Sequence, residues 1–345
     1  MSKTPKVGLL ERLERGETVF CAEGYVFELE RRGYVKAGAY VPEVVLDHPE
    51  VVAQLHQEFL RAGTDVVEAL TYYGHREKLK AIGRENDLER LNRRALAIAR
   101  RAAQGTNALV AGNICNTWAY DAVNPVKSGK LVRDQYHEQV GWAKAAGVDF
   151  IIAETIEYLG EALIAVEVVK SFGLPVVLNL GAATDKTKDG YDWIKACQQV
   201  KARGADVVGF NCMRGPGTLL PLLRQLREAV SGPIAALPVP YRTTQAHPAF
   251  QFLENEDSST AYTLGLDNFL CTRQEMADFA LEAQQLGVGF IGICCGAGPH
   301  HVRAMAEALG RTVPSSKYSP DLSEHAQFGS TKFVKASERR FASRS

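Results

Sequence analysis

Phe290-Ile291-Gly292-Ile293-Cys294-Cys295-Gly296-Ala297-Gly298-Pro299 is an apolar run that closes on two adjacent cysteines, then turns through glycines into a helical pattern. A second run, Val207-Val208-Gly209-Phe210-Asn211-Cys212, also closes on a cysteine. Neither alternates polar with apolar, and unbroken apolar runs of this length suit strands buried on both faces. Six more runs of the same kind precede or separate them: Thr18–Cys21, Val66–Thr71, Leu109–Ile114, Phe150–Glu154, Val176–Leu180 and Ile234–Pro238. Amphipathic stretches lie between the runs, at 49–62, 88–103, 131–146, 159–172, 191–203, 218–230, 273–286 and 300–309. Glycines follow many of them, at Gly63, Gly105, Gly147, Gly173, Gly204 and Gly287, where a left-handed residue ends a helix. Three of these lead into a strand as Gly63-Thr64-Asp65, Gly147-Val148-Asp149 and Gly204-Ala205-Asp206. Eight β-then-α units in one chain predict an α/β fold, the (β/α)8 TIM barrel.

In that fold chemistry sits at the C-terminal ends of the strands. The three cysteines fall at such ends, on the sixth and eighth strands, with the seventh between them. The connection after the seventh, 239–267, is the longest on the chain and reads as a lid or binding segment. The barrel is expected to occupy residues 1–310, with 311–345 as a polar, Ser-rich C-terminal tail that is an arm, an oligomer contact or partly disordered.

Composition excludes several classes of function. The chain has 345 residues, with 40 Lys+Arg against 40 Asp+Glu, so it carries no basic footprint for nucleic acid. No apolar run reaches the length of a membrane span, and the first residues lack a signal-peptide core, so a cytoplasmic location is expected. In that compartment the seven cysteines read as reduced thiols or metal ligands.

Three thiolates from two strand ends suit tetrahedral zinc with one position open, which marks a catalytic rather than a structural site. A regular strand would point Cys294 and Cys295 to opposite faces, so the glycines after them must turn the backbone. Such an electron-rich zinc is a weak Lewis acid but holds an incoming thiol as a reactive thiolate. Other readings remain open on the residues alone. His300 or His301 would close the site as a fourth ligand, a vicinal disulfide would abolish it, and the Gly292–Gly298 turn would cradle a phosphate. Cys197 reads as a core residue. A phosphate-binding aldolase barrel would need a lysine inside a strand, and no candidate strand has one.

The stretch Gly292–Glu307 resembles the zinc-binding end of homocysteine S-methyltransferases, and Val208–Cys212 is similar to that family's other zinc strand. The stretches Gly24–Gly38 and His48–Gly63 are similar to its betaine–homocysteine methyltransferase branch. The resemblance runs from about Leu9 to Leu309 and implies methyl transfer from a quaternary ammonium or sulfonium donor to homocysteine, giving methionine. By it, Cys212, Cys294 and Cys295 bind Zn2+, Glu154 holds the homocysteine amino group, and the Glu23–Gly24 turn receives its carboxylate. The chain departs from the family's Asp-Gly-Gly in the first turn. Ala22 stands at the Asp position, and Glu23, one place on, is expected to take over amine binding.

A permanent cation calls for aromatic faces. Tyr25, Tyr40, Tyr73, Trp118 and Tyr241 are the expected donor-binding residues, with Tyr72 and Tyr120 also near the mouth. By the resemblance Tyr40 stands where the family has Trp, and Tyr73 matches a donor-binding Tyr. Thr155 replaces another Tyr, a wall that Trp118 is expected to restore. Glycine betaine is the first expectation for the donor, then dimethylsulfoniopropionate, then S-methylmethionine. Arg242 and His75 are candidates for the donor's carboxylate. The expected partners are therefore homocysteine and a small onium compound, with a homo-oligomer possible. The reading from a different class is a zinc or thiol-binding barrel without turnover.

Overall fold

The computed structural model describes residues 6–35, 41–262 and 265–319. Eight parallel strands are present: β1 Val19–Ala22, β2 Val66–Glu68, β3 Leu109–Cys115, β4 Phe150–Ile156, β5 Val176–Leu180, β6 Val207–Asn211, β7 Ile234–Leu237 and β8 Phe290–Ile293. They are ordered β1-β8-β7-β6-β5-β4-β3-β2, so the sheet curls until its two end strands face each other. Helices cover its outside, and the result is the (β/α)8 barrel that the alternating runs predict. The strand runs fall within a residue or two of their expected bounds. The clearest difference is β2, which stops at Glu68 because the chain turns sharply there, with Thr71 N–H bonding the Ala69 carbonyl at 2.7 Å.

The Gly-x-Asp repeats have a structural role. Gly63 and Gly147 end their helices with φ of 118° and 70°, as expected of left-handed caps. The aspartates that follow staple the lower rim of the barrel. Asp65 Oδ2 accepts from Phe20 N–H at 2.8 Å, Asp149 Oδ2 from Val110 N–H at 2.6 Å, and Asp206 Oδ2 from Val176 N–H at 2.8 Å. Each therefore satisfies a backbone donor at the foot of the preceding strand. Asp65 closes the β1–β2 seam, since its own N–H also bonds the Phe20 carbonyl at 2.7 Å.

The barrel interior is layered. Val19, Val66, Leu109, Phe150, Val177, Val207 and Phe290 fill the lower part, and Leu9 and Leu13 of the helix Leu9–Glu14 plug it from below. That plug is not marked in the sequence pattern, because a six-residue helix is too short to show a period. The upper layer is polar: Glu23, Glu68, Asn113, Glu154, Asn179 and Asn211 are all buried. The helix after β3 begins at Pro125, two turns before the expected 131. Val126 and Leu131 on those turns are exposed, so no apolar stripe announces them.

The long connection after β7 is an ordered wall wherever it is described. Val239, Tyr241, Ala249, Phe250, Leu253, Ala261 and Leu266 form a small core with Cys212, Met213 and Cys294. At the other end of the chain, Arg311 pairs with Asp65 at 2.7 Å. The expected tail lies mostly outside the described residues, as does Tyr40. No helix among the described residues is long and apolar enough to cross a membrane.

Loss of one staple leaves a strand N–H without its partner. Asp149→Ala is expected to lower the unfolding free energy by about 1–3 kcal/mol in urea titration, with turnover at 25 °C little changed. An unchanged denaturation midpoint would show that water replaces the carboxylate there.

Candidate active site

Two strand ends deliver the thiols. β6 stops at Asn211, and Cys212 and Met213 then adopt φ of 53° and 50°. β8 stops at Ile293, and Cys294 N–H bonds the Pro238 carbonyl at 2.9 Å. Gly296 follows with φ 93°, and any Cβ there would overlap the Tyr241 hydroxyl. That turn removes the strand's alternation, so the adjacent Cys294 and Cys295 face the same space. Sγ of Cys212, Cys294 and Cys295 all lie within 4.8 Å of one another. Cys294 and Cys295 are 4.0 Å apart as free thiols, which disposes of a vicinal disulfide. Hydrogen bonds from Cys294 and Cys295 pull the Cys212 thiol well below its ordinary range. Burial, with Cys212 beside it, pushes Cys294 up.

No histidine belongs to this group among the described residues. His301 is committed elsewhere: Nδ1 accepts from Gly298 N–H at 3.2 Å, and Nε2 lies 3.2 Å from the Cys271 carbonyl. The donor set is therefore three sulfurs, two buried and that of Cys295 half-buried, which fits a thiophilic metal such as zinc that takes four ligands.

Beside the thiols lies a second cluster that the cysteine pattern does not reveal. Oxygen atoms of Glu23 and Glu154 lie within 4.8 Å of each other and of Cys294 Sγ. Glu68, Glu23 and Cys21 form a similar group deeper in the barrel. Two amides bridge the carboxylates. Asn113 Nδ2 donates to Glu68 and Glu154, each at 2.6 Å. Asn211 Nδ2 donates to Glu23 at 2.8 Å and to Glu154 at 2.9 Å. Asn211 is itself oriented, because its Oδ1 accepts from Thr155 N–H at 2.8 Å. Burial raises all three carboxyls. Glu154 and Glu68 add to the rise at Glu23, and Asn211 opposes it. Glu154 adds to it at Glu68, against Asn113. At Glu154, Asn113 opposes the effect of burial. Like charges packed this closely call for a cationic ligand or a shared proton.

The Glu23–Gly24 turn closes one side. A Cβ on Gly24 would stand 2.9 Å from the Cys294 carbonyl oxygen, so glycine lets the first turn approach the thiol loop. Arg31 ties the same loop down, donating to the Gly296 carbonyl at 2.6 Å and the Tyr241 hydroxyl at 3.2 Å.

The expected aromatic residues divide. Tyr73 and Trp118 face each other edge to face, 6.0 Å between centroids, and Tyr72 lies 4.1 Å from Tyr73. Tyr73 and Trp118 both have positive φ, as does Thr155. Backbone strain of roughly 1–3 kcal/mol per such residue thus gathers at this mouth. Tyr241 is buried beside the thiol loop, stacked on Phe250. Tyr25 is a correction. It packs into the core against Phe59, and its hydroxyl meets His56 Nδ1 at 3.2 Å, because the helix Tyr25–Arg31 turns it away from the mouth. Arg242 is a second correction, since its Nε and Nη2 donate to Glu275, at 2.7 and 2.6 Å, on the exposed start of the following helix. His75 is buried near the mouth, by the Asn116 backbone, but neither of its ring nitrogens completes a hydrogen bond.

A parallel barrel with a three-thiol cluster and buried carboxylates at its mouth places metal-binding and ionisable groups at the strand ends where barrel enzymes carry their sites. Residues 24–309 match the homocysteine S-methyltransferase family, and the chain belongs to it: it is a methyltransferase. It is 35% identical over 333 residues to betaine–homocysteine S-methyltransferase 1 of Rattus norvegicus, spanning 95% of this chain and 80% of that protein. It is 34% identical over 339 residues to the S-methylmethionine–homocysteine S-methyltransferase of Mus musculus, spanning 95% and 88%. The metallated homocysteine methyltransferase of Escherichia coli shares the fold, with a TM-score of 0.66 and 18% identity over 86% of this chain and 97% of that one.

Because burial and Glu154 hold Glu68 above its ordinary value of 4.5, the folded protein binds more protons than the unfolded chain from that pH upward. Glu68 therefore costs stability as pH rises through this window, and stabilises the fold relative to that only below it. Glu68→Gln is expected to gain stability over the parent more at about pH 8 than at about pH 5 in urea titrations. Parallel stability curves for the two proteins would mean that a bound cation already neutralises this carboxylate.

Proposed function

We propose that this chain methylates homocysteine to methionine, using zinc on Cys212, Cys294 and Cys295 and taking the methyl group from a small onium donor. The observation that carries the reading is the contact between the thiol group and the buried carboxylates. A site of that kind suits a ligand with a thiol and an ammonium a few bonds apart. Relatives named for transfer to homocysteine support it.

Zinc at the three cysteines supplies the means of keeping the substrate thiol ionised and nucleophilic at neutral pH. The other roles belong to the chain itself. Glu154 holds the substrate ammonium, and Glu23, one residue past Ala22, reaches the same place as a second acceptor. Asn113 and Asn211 keep these carboxylates from turning away. Gly24 sets the first turn against the thiol loop, where the substrate carboxylate binds. Tyr73 and Trp118 give the onium its aromatic faces, and Tyr241 walls the thiol side. The homocysteine sulfur forms a bond to the methyl carbon while the donor's nitrogen or sulfur leaves with the bonding pair. That leaving group is neutral, so the step needs alignment rather than an acid. Glycine betaine is the first donor assigned, ahead of dimethylsulfoniopropionate and S-methylmethionine. In this reading residues 1–310 act as one homocysteine-binding barrel and 311–345 as a tail.

The test is methionine formation by zinc-loaded protein with homocysteine and each of the three donors in parallel. Turnover with one donor supports the reading and ranks the donors; none with any of them would sink it. Cys294→Ala is expected to bring turnover to background and to lose bound zinc by elemental analysis, while melting remains cooperative. Full activity in that variant would remove the metal from the reaction. Glu154→Gln, which keeps shape but loses charge, is expected to raise KM for homocysteine roughly tenfold or more, the scale of one charge-assisted hydrogen bond. An unchanged homocysteine KM would free Glu154 from amine binding.

A further inference from the structure

The aromatic pair at the mouth already holds a cation supplied by the chain. Lys78 Nζ lies 3.6 Å from the Trp118 ring centroid and 4.1 Å from that of Tyr73. These are cation–π distances, and Lys78 is only 7% exposed. The residue sits on a helix of six residues, Arg76–Ala81, whose preceding residue is His75. His75 is 1% exposed and has two ring nitrogens with no hydrogen-bond partner. Tyr73, also in this group, is fixed from below, its N–H donating to Cys115 Sγ at 3.2 Å.

An onium methyl group and an ammonium cannot share one pair of ring faces, because like charges a few ångströms apart in a half-dry pocket repel. The ammonium must therefore withdraw when the onium enters. A lysine has the reach to do so on its flexible stem. The donors assigned above carry a carboxylate a short chain away from the onium centre, and a displaced ammonium next to the rings is where that carboxylate falls. The buried His75 ring stands beside the pair, 5.9 Å from Tyr73 between centroids.

Resting on the reading that Tyr73 and Trp118 receive the donor, we propose that Lys78 reads the donor's carboxylate: its ammonium holds the ring faces in the free protein and, on binding, yields them to the onium and pairs with the carboxylate. Lys78 is thus a specificity-determining residue. It favours zwitterionic onium donors and works against bare onium cations, which must expel it without a carboxylate to receive it.

The experiment compares the parent, Lys78→Met and Lys78→Arg with glycine betaine, which has the carboxylate, and with tetramethylammonium and trimethylsulfonium, which lack it. Binding is followed by titration calorimetry on the zinc-loaded protein with homocysteine present, and methyl transfer by methionine formation. Lys78→Met is expected to weaken glycine betaine roughly tenfold and to tighten tetramethylammonium by several-fold, the scale of one ion pair or cation–π contact. The same variant should lower KM for trimethylsulfonium while leaving KM for homocysteine within about twofold of the parent. Lys78→Arg should keep the preference for betaine, which a purely structural lysine would not require. Equal shifts for charged and zwitterionic ligands, or no shift for either, would overturn the assignment. If no onium compound yields methionine even with the parent protein, the donor reading fails on its own, while the calorimetric comparison still decides the role of Lys78.

Discussion

Three buried carboxylates and three thiols, two of them buried, share one barrel mouth, and most of the local structure serves to make that tolerable. Two amides do the bridging: Asn113 between Glu68 and Glu154, and Asn211 between Glu23 and Glu154. A buried anion without a partner is costly, and a cluster of them is costlier still. The barrel meets that cost by delivering every member from a strand end or the turn just beyond it. The lower half is packed with aliphatic and aromatic side chains and stapled by Asp65, Asp149 and Asp206. Local instability at the mouth is thereby carried by a rigid base, the arrangement expected where substrate charge completes the balance.

The acceptor side of this site was readable from sequence to a large degree. Doubly buried strands show as unbroken apolar runs, and a cysteine closing such a run is rare enough to be noticed. The bridging residues were less visible. Glu68 interrupts Val66-Val67 with a charge in a strand that ought to be dry, which was the one available signal for it. Asn211 was hidden by the cysteine next to it. Its importance depends on side-chain distances to β1 and β4, which no local pattern encodes. Tyr25 misled because position near a strand end does not fix the side of the turn to which a ring points. Lys78 was invisible for a related reason: a lysine on a short amphipathic segment looks like a solvated charge until the ring faces above it are located.

The first turn shows how a family site absorbs a change of sequence. Ala22 is fully buried at the end of β1 and pairs in register with Ile293 of β8. Glu23 lies one residue later, and its longer side chain returns to Asn211 and the neighbourhood of Glu154. The longer side chain of Glu23 thus reaches the same cluster as Glu154 from one residue past Ala22. Glu68 adds a third buried carboxyl to the group, and burial together with Glu154 holds it in favour of its protonated form.

The two halves of the site rest on different kinds of support, and this bears on which methyl donor the chain uses. Thiols and carboxylates stand on or just past strands, whose positions are set by the ladder and the barrel core. The aromatic faces stand on loops after β2 and β3, at residues with strained backbone, beside a helix of six residues. Positions on strands are held more closely than positions on loops, and loops tolerate exchange. Relatives of nearly equal identity are named for betaine in one case and for S-methylmethionine in another, as expected if the acceptor half is fixed by the fold while the donor half is set by a few loop side chains. In this chain Tyr73 and Trp118 stand on those loops, with the Lys78 ammonium against both rings. On the proposed reading, the identity of the donor depends less on the barrel as a whole than on what can replace that ammonium on the two rings.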